Sequence, residues 1–398
     1  MQSMLHSIED IISRRSVEEI SATLDYFDAL PRRYKRKQDL EKALCAYLSG
    51  DPRVWLDKLM EYDLKLLQKL CKGGPDSFVD VIPSDFPTIV ETLHFVESGK
   101  SDSDDMLRLT IPGAFFQLIV DEIDDVVARK ERDGSFRLEH MILGAVNTYG
   151  AVPLRTFVDS IFMDFEDMDE MRRFAGAVAS HPAMRIYQEE YRGESYMVSP
   201  EVEDFPGLMR DRRKLGKDIR RYGKVAIPDI LQCGENAPFN FYGRSTEEGK
   251  ALLKLFDYLG YEGDELTYSA HSAWVNSQYE PDERNLEILL SAVTAAAEDI
   301  EDYAQFREFA QVVIDYANSV PKWLLKGQSA EATGLLRYEL PPDAFSELFE
   351  EDEEAAKEQE ELMSFFDSVN TVRPVAPDDP CPCGSGISYR FCHGRHFS

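Results

Sequence analysis

The sequence predicts a mainly α-helical protein of several domains, with one short β-hairpin in its middle and a cysteine-bearing tail. Three observations carry this. At 398 residues the chain is long enough for two to four domains of ordinary size. Apolar residues recur at helical spacing in most segments, with proline and glycine breaks between them. Three of the six cysteines stand at positions 381, 383 and 392, far from the others.

Residues 1–75 read as a small helical unit. Ser16 and Glu19 have capping-box spacing, and Ile20, Leu24 and Phe27 then share one face. After Pro31, Leu40, Leu44, Tyr47 and Leu48 repeat the pattern until Gly50, Asp51 and Pro52 stop it. A third amphipathic piece is expected from Val54 to Cys71, ending at Gly73, Gly74 and Pro75. Residues 76–225 form the second unit, entered through a proline-containing connector around one short helix. Within it a helix ends at Gly150, another starts near Pro153, a third runs from about Glu166 to Ala179, and two strands flank Arg192 and Gly193. Residues 226–335 are helical again. Leu286, Leu289, Leu290 and Val293 keep one face, Phe306, Phe309, Ala310 and Val313 another, and a proline turn closes the domain. Residues 336–376 are an acidic linker, with nine acidic and one basic residue between 346 and 362. Residues 377–398 form the tail.

In that tail Cys381 and Cys383 are one residue apart, and Cys392 and His393 are adjacent after a loop of eight. Three thiolates and one imidazole close a tetrahedral shell and leave no open position for a substrate, so the site is structural. Softness and availability favour zinc over iron. His396 is an alternative to His393. Too short to fold on apolar burial, a tail of this size takes its folding free energy from the metal.

These residues resemble the SEC-C motif, a zinc-binding tail with the pattern Cys-x-Cys, eight residues, Cys, then Cys or His; PCGSG and the aromatic Phe391 fit as well. The resemblance covers about 22 residues. It implies contact with a chaperone, the translocation machinery or the ribosome, as for the tail of the bacterial preprotein translocase motor, and thus a bacterial cytoplasmic adaptor. Ile387 and Ser388 stand where lysines are common in that family. KRKQDLEKAL, in the first unit, resembles the amino-terminal domain of the terminator Rho and SAP modules. By element order, the middle unit resembles a winged helix-turn-helix.

A net charge of −30 excludes a general polyanion-binding role. The alternative function, a nucleic-acid-binding regulator, rests on local basic segments. One runs from Arg210 to Lys224 and offers Arg210, Arg212, Arg213, Lys214, Lys217, Arg220 and Arg221; the other holds Arg32, Arg33, Lys35, Arg36 and Lys37. The third helix of the winged unit opens with Glu166, Asp167, Asp169 and Glu170, which phosphates repel, so a protein-contacting role is favoured. No enzyme is expected. GRSTEEGKA, from Gly243, lacks phosphate-loop spacing and reads as a loop entering a helix, while no HExxH, GxSxG or dinucleotide motif occurs. His94, His140, His181 and His271 are scattered singly and read as structural, as do Cys45, Cys71 and Cys233. The amino terminus carries charge where a signal peptide would be apolar, and no run is long enough to span a bilayer.

Overall fold

A computed structural model of the chain describes residues 7–33, 36–75, 77–82, 97–100, 107–158, 165, 167–185, 187–235, 237, 239–349 and 388. Two units are distinguished, 1–341 and 342–398. The first is mainly helical, as the periodicity predicts.

Its early helices start at residues that satisfy their orphan N–H groups. Ser7 and Ser16 head Ile8–Ser13 (α1) and Val17–Tyr26 (α2), each in a capping box. The Glu19 N–H donates to Ser16 Oγ at 3.1 Å, and the Ser16 N–H to the Glu19 carboxylate at 2.6 Å. Lys37–Leu48 (α3) buries Leu40, Leu44 and Leu48. The helix expected from Val54 to Cys71 is instead two, Pro52–Leu56 (α4) and Glu61–Gly73 (α5). Extended backbone at Met60 breaks the run, and Lys130 Nζ donates to the Leu59 carbonyl at 2.6 Å. A buried cation thus replaces the next helical turn.

The expected connector contains strands. Phe78–Val81 (β1), Glu97–Lys100 (β2) and Leu107–Thr110 (β3) form an antiparallel sheet in the order β1-β3-β2. The short helix predicted there falls outside the described residues. Gly113–Ile119 (α6) and Ile123–Asp133 (α7) lead to Ser135–Tyr149 (α8), buried along its whole second half. Against it lies Ile227–Gly234 (α12), and the crossing has glycine on both sides. A methyl added at Gly144 would sit 2.8 Å from the Ile230 carbonyl carbon; one added at Gly234 would sit 2.6 Å from that of His140.

Between α8 and α12 the chain forms Ala151–Pro153 (β4), Leu154–Val158 (α9), Met168–Ser180 (α10), Gln188–Tyr191 (β5), Glu194–Val198 (β6) and Phe205–Lys214 (α11). The sheet order is β4-β6-β5, all antiparallel, with Ala151 opposite Val198 and Tyr191 opposite Glu194. Arg192 and Gly193 both have positive φ, 55° and 79°, the geometry of a tight hairpin turn. Asp167 caps α10, so the acidic opening that argues against phosphate contact also suits the helix's positive end.

The remaining helices are Glu247–Tyr258 (α13), Gly263–Asn276 (α14), Glu283–Leu289 (α15), Ser291–Ala295 (α16) and Tyr303–Ser319 (α17). Thr246 caps α13, so GRSTEEGKA is a loop entering a helix. Leu286, Leu289, Leu290 and Val293 are buried, as are Phe306, Ala310 and Val313, while Phe309 packs on Tyr258 at 5.4 Å. The predicted proline turn is a hairpin, Pro321–Lys322 (β7) with Gln328–Ser329 (β8), followed by Ala330–Thr333 (α18). It folds back onto α8, where Trp323 Nε1 donates to the Asn147 carbonyl at 2.6 Å. Gly150 and Gly327, at φ 67° and 80°, leave no room for a Cβ against Trp323 and Tyr149. Lys322 is buried beside them, donating to the Ser277 carbonyl with its ammonium 5.0 Å from the Tyr338 ring centre. Burial pulls its pKa down to about 7.

One cluster of buried apolar residues extends in sequence from Ile11 to Leu231, across positions 75 and 225. In the second unit, a single 3₁₀ turn, Ser346–Phe349, is described before the tail.

Candidate functional site

Cys381, Cys383, Cys392 and His393 lie outside the described residues, and so does His396. Their chemistry is that of the donor set: soft thiolates and one borderline nitrogen, in a segment rich in glycine between the pairs. No group of three or more histidine, cysteine or acidic side chains is gathered to hold a metal among the described residues. The other cysteines are free thiols. Burial pushes Cys71 up to about 11 and Cys233 up to about 12, and raises Cys45 too, which keeps all three protonated at neutral pH. This agrees with inert packing roles.

The basic run is dispersed by the fold. Arg210 pairs with Asp204 at 3.2 Å and Lys214 with Asp211 at 2.6 Å. Arg213 donates to the Tyr191 hydroxyl at 2.6 Å and lies over that ring, as does Arg192 from the hairpin tip. Lys217, Arg220 and Arg221 are exposed. Arg212 corrects the sequence reading most clearly: it is 4% exposed and presents no surface charge. Its guanidinium donates to the carbonyls of Trp323 at 2.8 Å, Ala151 at 2.6 Å and Tyr149 at 2.5 Å. Planar fork geometry, not charge toward a ligand, is what this position uses. In the other basic segment Lys37 caps the Ser13 carbonyl and pairs with Glu41, Arg32, Arg33 and Arg36 are exposed, and Lys35 lies outside the described residues.

Sequence reasoning missed a polar joint between α5, α7 and α8. Lys130 and Glu139, each 3% exposed, pair at 2.8 Å, and His181 Nε2 stands 3.6 Å from the same carboxylate. Glu139 also accepts from the Glu61 N–H at 2.8 Å, and Glu61 pairs with His140 and Lys65. Burial alone would raise the Glu139 carboxyl; Lys130 and His181 outweigh it and hold the group below its ordinary value. A cavity of about 310 Å³ opens beside these groups. His140 and His181 are thus partners in a network that spacing along the chain could not reveal. His271 Nδ1 lies 2.6 Å from the Asn240 carbonyl oxygen.

The tail compares directly with known proteins. Residues 379–395 match the SEC-C motif. All four candidate ligands fall inside the match. Two curated relatives share local similarity: the protein translocase subunit SecA of Nitrosomonas europaea, 41% identical over 66 residues, and that of Herminiimonas arsenicoxydans, 63% identical over 27 residues. The alignments cover 17% and 7% of this chain, and only 7% and 3% of those relatives. No solved structure matches. No helix among the described residues is long and apolar enough to cross a membrane.

Proposed function

We propose that this protein is a non-enzymatic adaptor whose carboxy-terminal knuckle, folded around one zinc ion by Cys381, Cys383, Cys392 and His393, binds a protein partner of the chaperone, translocation or ribosomal machinery in the cytoplasm. The SEC-C match at residues 379–395 carries the reading. Local similarity to two translocase subunits supports the class of partner. Four ligands fill a tetrahedral zinc shell, which suits a structural role and leaves the metal no position for chemistry. The acidic stretch from 346 to 362 gives the knuckle reach, so that a captured partner is held near the body at high effective concentration.

A second reading, a winged-helix regulator of nucleic acid, has one observation in its favour: the strand between α8 and α9 pairs with the second strand of the hairpin, giving the order β4-β6-β5. The acidic first turn of α10 and the loss of Arg212 to the interior weigh against groove reading. We favour a winged unit that contacts protein.

The test is a nuclease-treated pull-down from native lysate, with wild-type bait and a Cys381→Ser, Cys383→Ser double variant, after zinc content is measured on both. The adaptor reading expects one zinc per chain, lost in the variant, and translocation or ribosomal proteins recovered only by the wild type. Recovery of the same proteins by both baits, or of none once nucleic acid is digested, refutes it.

A further inference from the structure

The carboxy-terminal helices carry a groove that the tail does not explain. It has a volume of about 1050 Å³ and, among the described residues, is lined by α13, α14, α15 and α16 together with Ile82 from the segment after β1. Phe256, Tyr261 and Tyr268 supply aromatic walls, Ala273 and Ala292 a floor of small side chains, and Glu265 a charge within the lining. The geometry is held. Tyr261 packs edge-on against Phe256 at 5.8 Å and donates to the Ala292 carbonyl at 3.2 Å; Tyr268 packs against Phe239 at 5.5 Å yet remains 43% exposed. Fixed aromatics over a small-residue floor give a partner's apolar side chains somewhere to insert at little ordering cost.

Charge decides the occupant. Between Asp257 and Asp302, the stretch supplying most of the lining, there are twelve acidic residues and one basic residue, Arg284. Glu265 is the one charged side chain among the described lining residues; Asp264 beside it in the first turn of α14 and Glu287 on α15 are exposed and add to the negative field of these helices. An acidic peptide or a nucleic acid strand is repelled by helices of that charge, while a cationic one is drawn to them and to Glu265. We propose that this groove is a docking site for a cationic amphipathic helix, whose apolar residues at i, i+3, i+4 and i+7 enter between the aromatics while its lysines or arginines face the rim. The lining residues belong to the 1–341 unit, and the proposal does not rest on the metal ligands.

Fluorescence anisotropy tests this with the full chain and three labelled synthetic peptides: a leucine–lysine helix with that spacing, the same peptide with glutamate for lysine, and a scrambled leucine–lysine sequence. The amphipathic cationic peptide is expected to bind, the other two at least about tenfold more weakly, and its affinity is expected to fall as salt rises. Ala295→Trp, which fills an exposed edge of the groove, and Glu265→Lys, which inverts a rim charge without touching the core, are each expected to weaken binding at least about fivefold. The Cys381→Ser, Cys383→Ser variant is expected to bind as the wild type does, which separates this site from the tail's. Equal binding of the scrambled peptide, or unchanged binding by both groove variants, overturns the proposal. So does a wild-type chain that binds none of the peptides but self-associates and becomes monomeric in Ala295→Trp, since the occupant is then a second copy.

Discussion

Alanine at Gly144 probes the central helix crossing. The added methyl would meet the Ile230 carbonyl carbon at 2.8 Å and the Gly234 nitrogen at 3.0 Å, with the Ile230 oxygen nearer still. These are backbone atoms of α12, so no side-chain rotation relieves the overlap and the helices must separate. Overpacking of this kind costs about 1–3 kcal/mol, and occasionally more, while alanine in a helix interior recovers about 1 kcal/mol relative to glycine. Because the obstacle is backbone, the steric cost lies at the upper end, and a net loss of about 2 kcal/mol is expected. Gly176 is the internal control. It stands in α10, exposed, with nothing within 4 Å of an added Cβ, and the same substitution there is expected to stabilise by about 0.5–1 kcal/mol. Urea denaturation followed by far-ultraviolet circular dichroism reads both, with an unchanged slope showing that stability and not compactness has moved. Two glycine-to-alanine changes in helices should therefore shift the midpoint in opposite directions. If Gly144→Ala is as stable as the wild type, or if both variants move together, the close approach of α8 and α12 is not what glycine is there to permit.

Arg212→Lys should be nearly as damaging as Arg212→Ala, each costing roughly 3–5 kcal/mol in the same assay, because one ammonium cannot satisfy three carbonyls arranged for a planar fork; retention of wild-type stability by the lysine variant would count against the fork. Lys322 makes stability depend on pH. Its pKa is about 7 in the folded chain and 10.5 in the reference state, so between those values the unfolded chain holds a proton that the folded chain has released. Stability from this group is therefore complete above pH 10.5 and is lost as pH falls through that window toward 7, by at most about 1.4 kcal/mol per pH unit. Comparing Lys322→Met with wild type between pH 7 and 9, below the range in which Cys71 and Cys233 titrate, should show a flatter profile in the variant; parallel profiles would mean that Lys322 stays charged in the core.

Local chemistry was legible in the sequence and long-range pairing was not. The Ser16–Glu19 box and the Arg192–Gly193 turn each close within a few residues, and both are where the pattern put them. Ala151–Pro153 and the 321–329 hairpin were missed because their structure depends on partners far along the chain: Val198 for Ala151, and α8 for Trp323. The break at Met60 was missed for the same reason, since the residue that takes over the Leu59 carbonyl is Lys130. Arg212 looked like its neighbours in a basic run, and only the fold separates a guanidinium turned inward from those turned out. The SEC-C motif was readable because its pattern closes within a short stretch of the tail. The groove was not, because its lining is assembled from four helices and Ile82, whose mutual placement no spacing rule encodes.

The buried fork of Arg212 has a consequence for the order of events during synthesis. One of its three acceptors, the Trp323 carbonyl, is 111 residues downstream. At the usual rate of about 5–20 residues per second, the ribosome needs roughly 5–20 s to make that stretch. Throughout that interval a nascent chain holding the hairpin sheet and α11 carries a guanidinium with part of its acceptor set still unmade. Closure of the middle of the protein must therefore wait for the 321–329 hairpin, and a polypeptide halted before it would expose the faces that Trp323 covers.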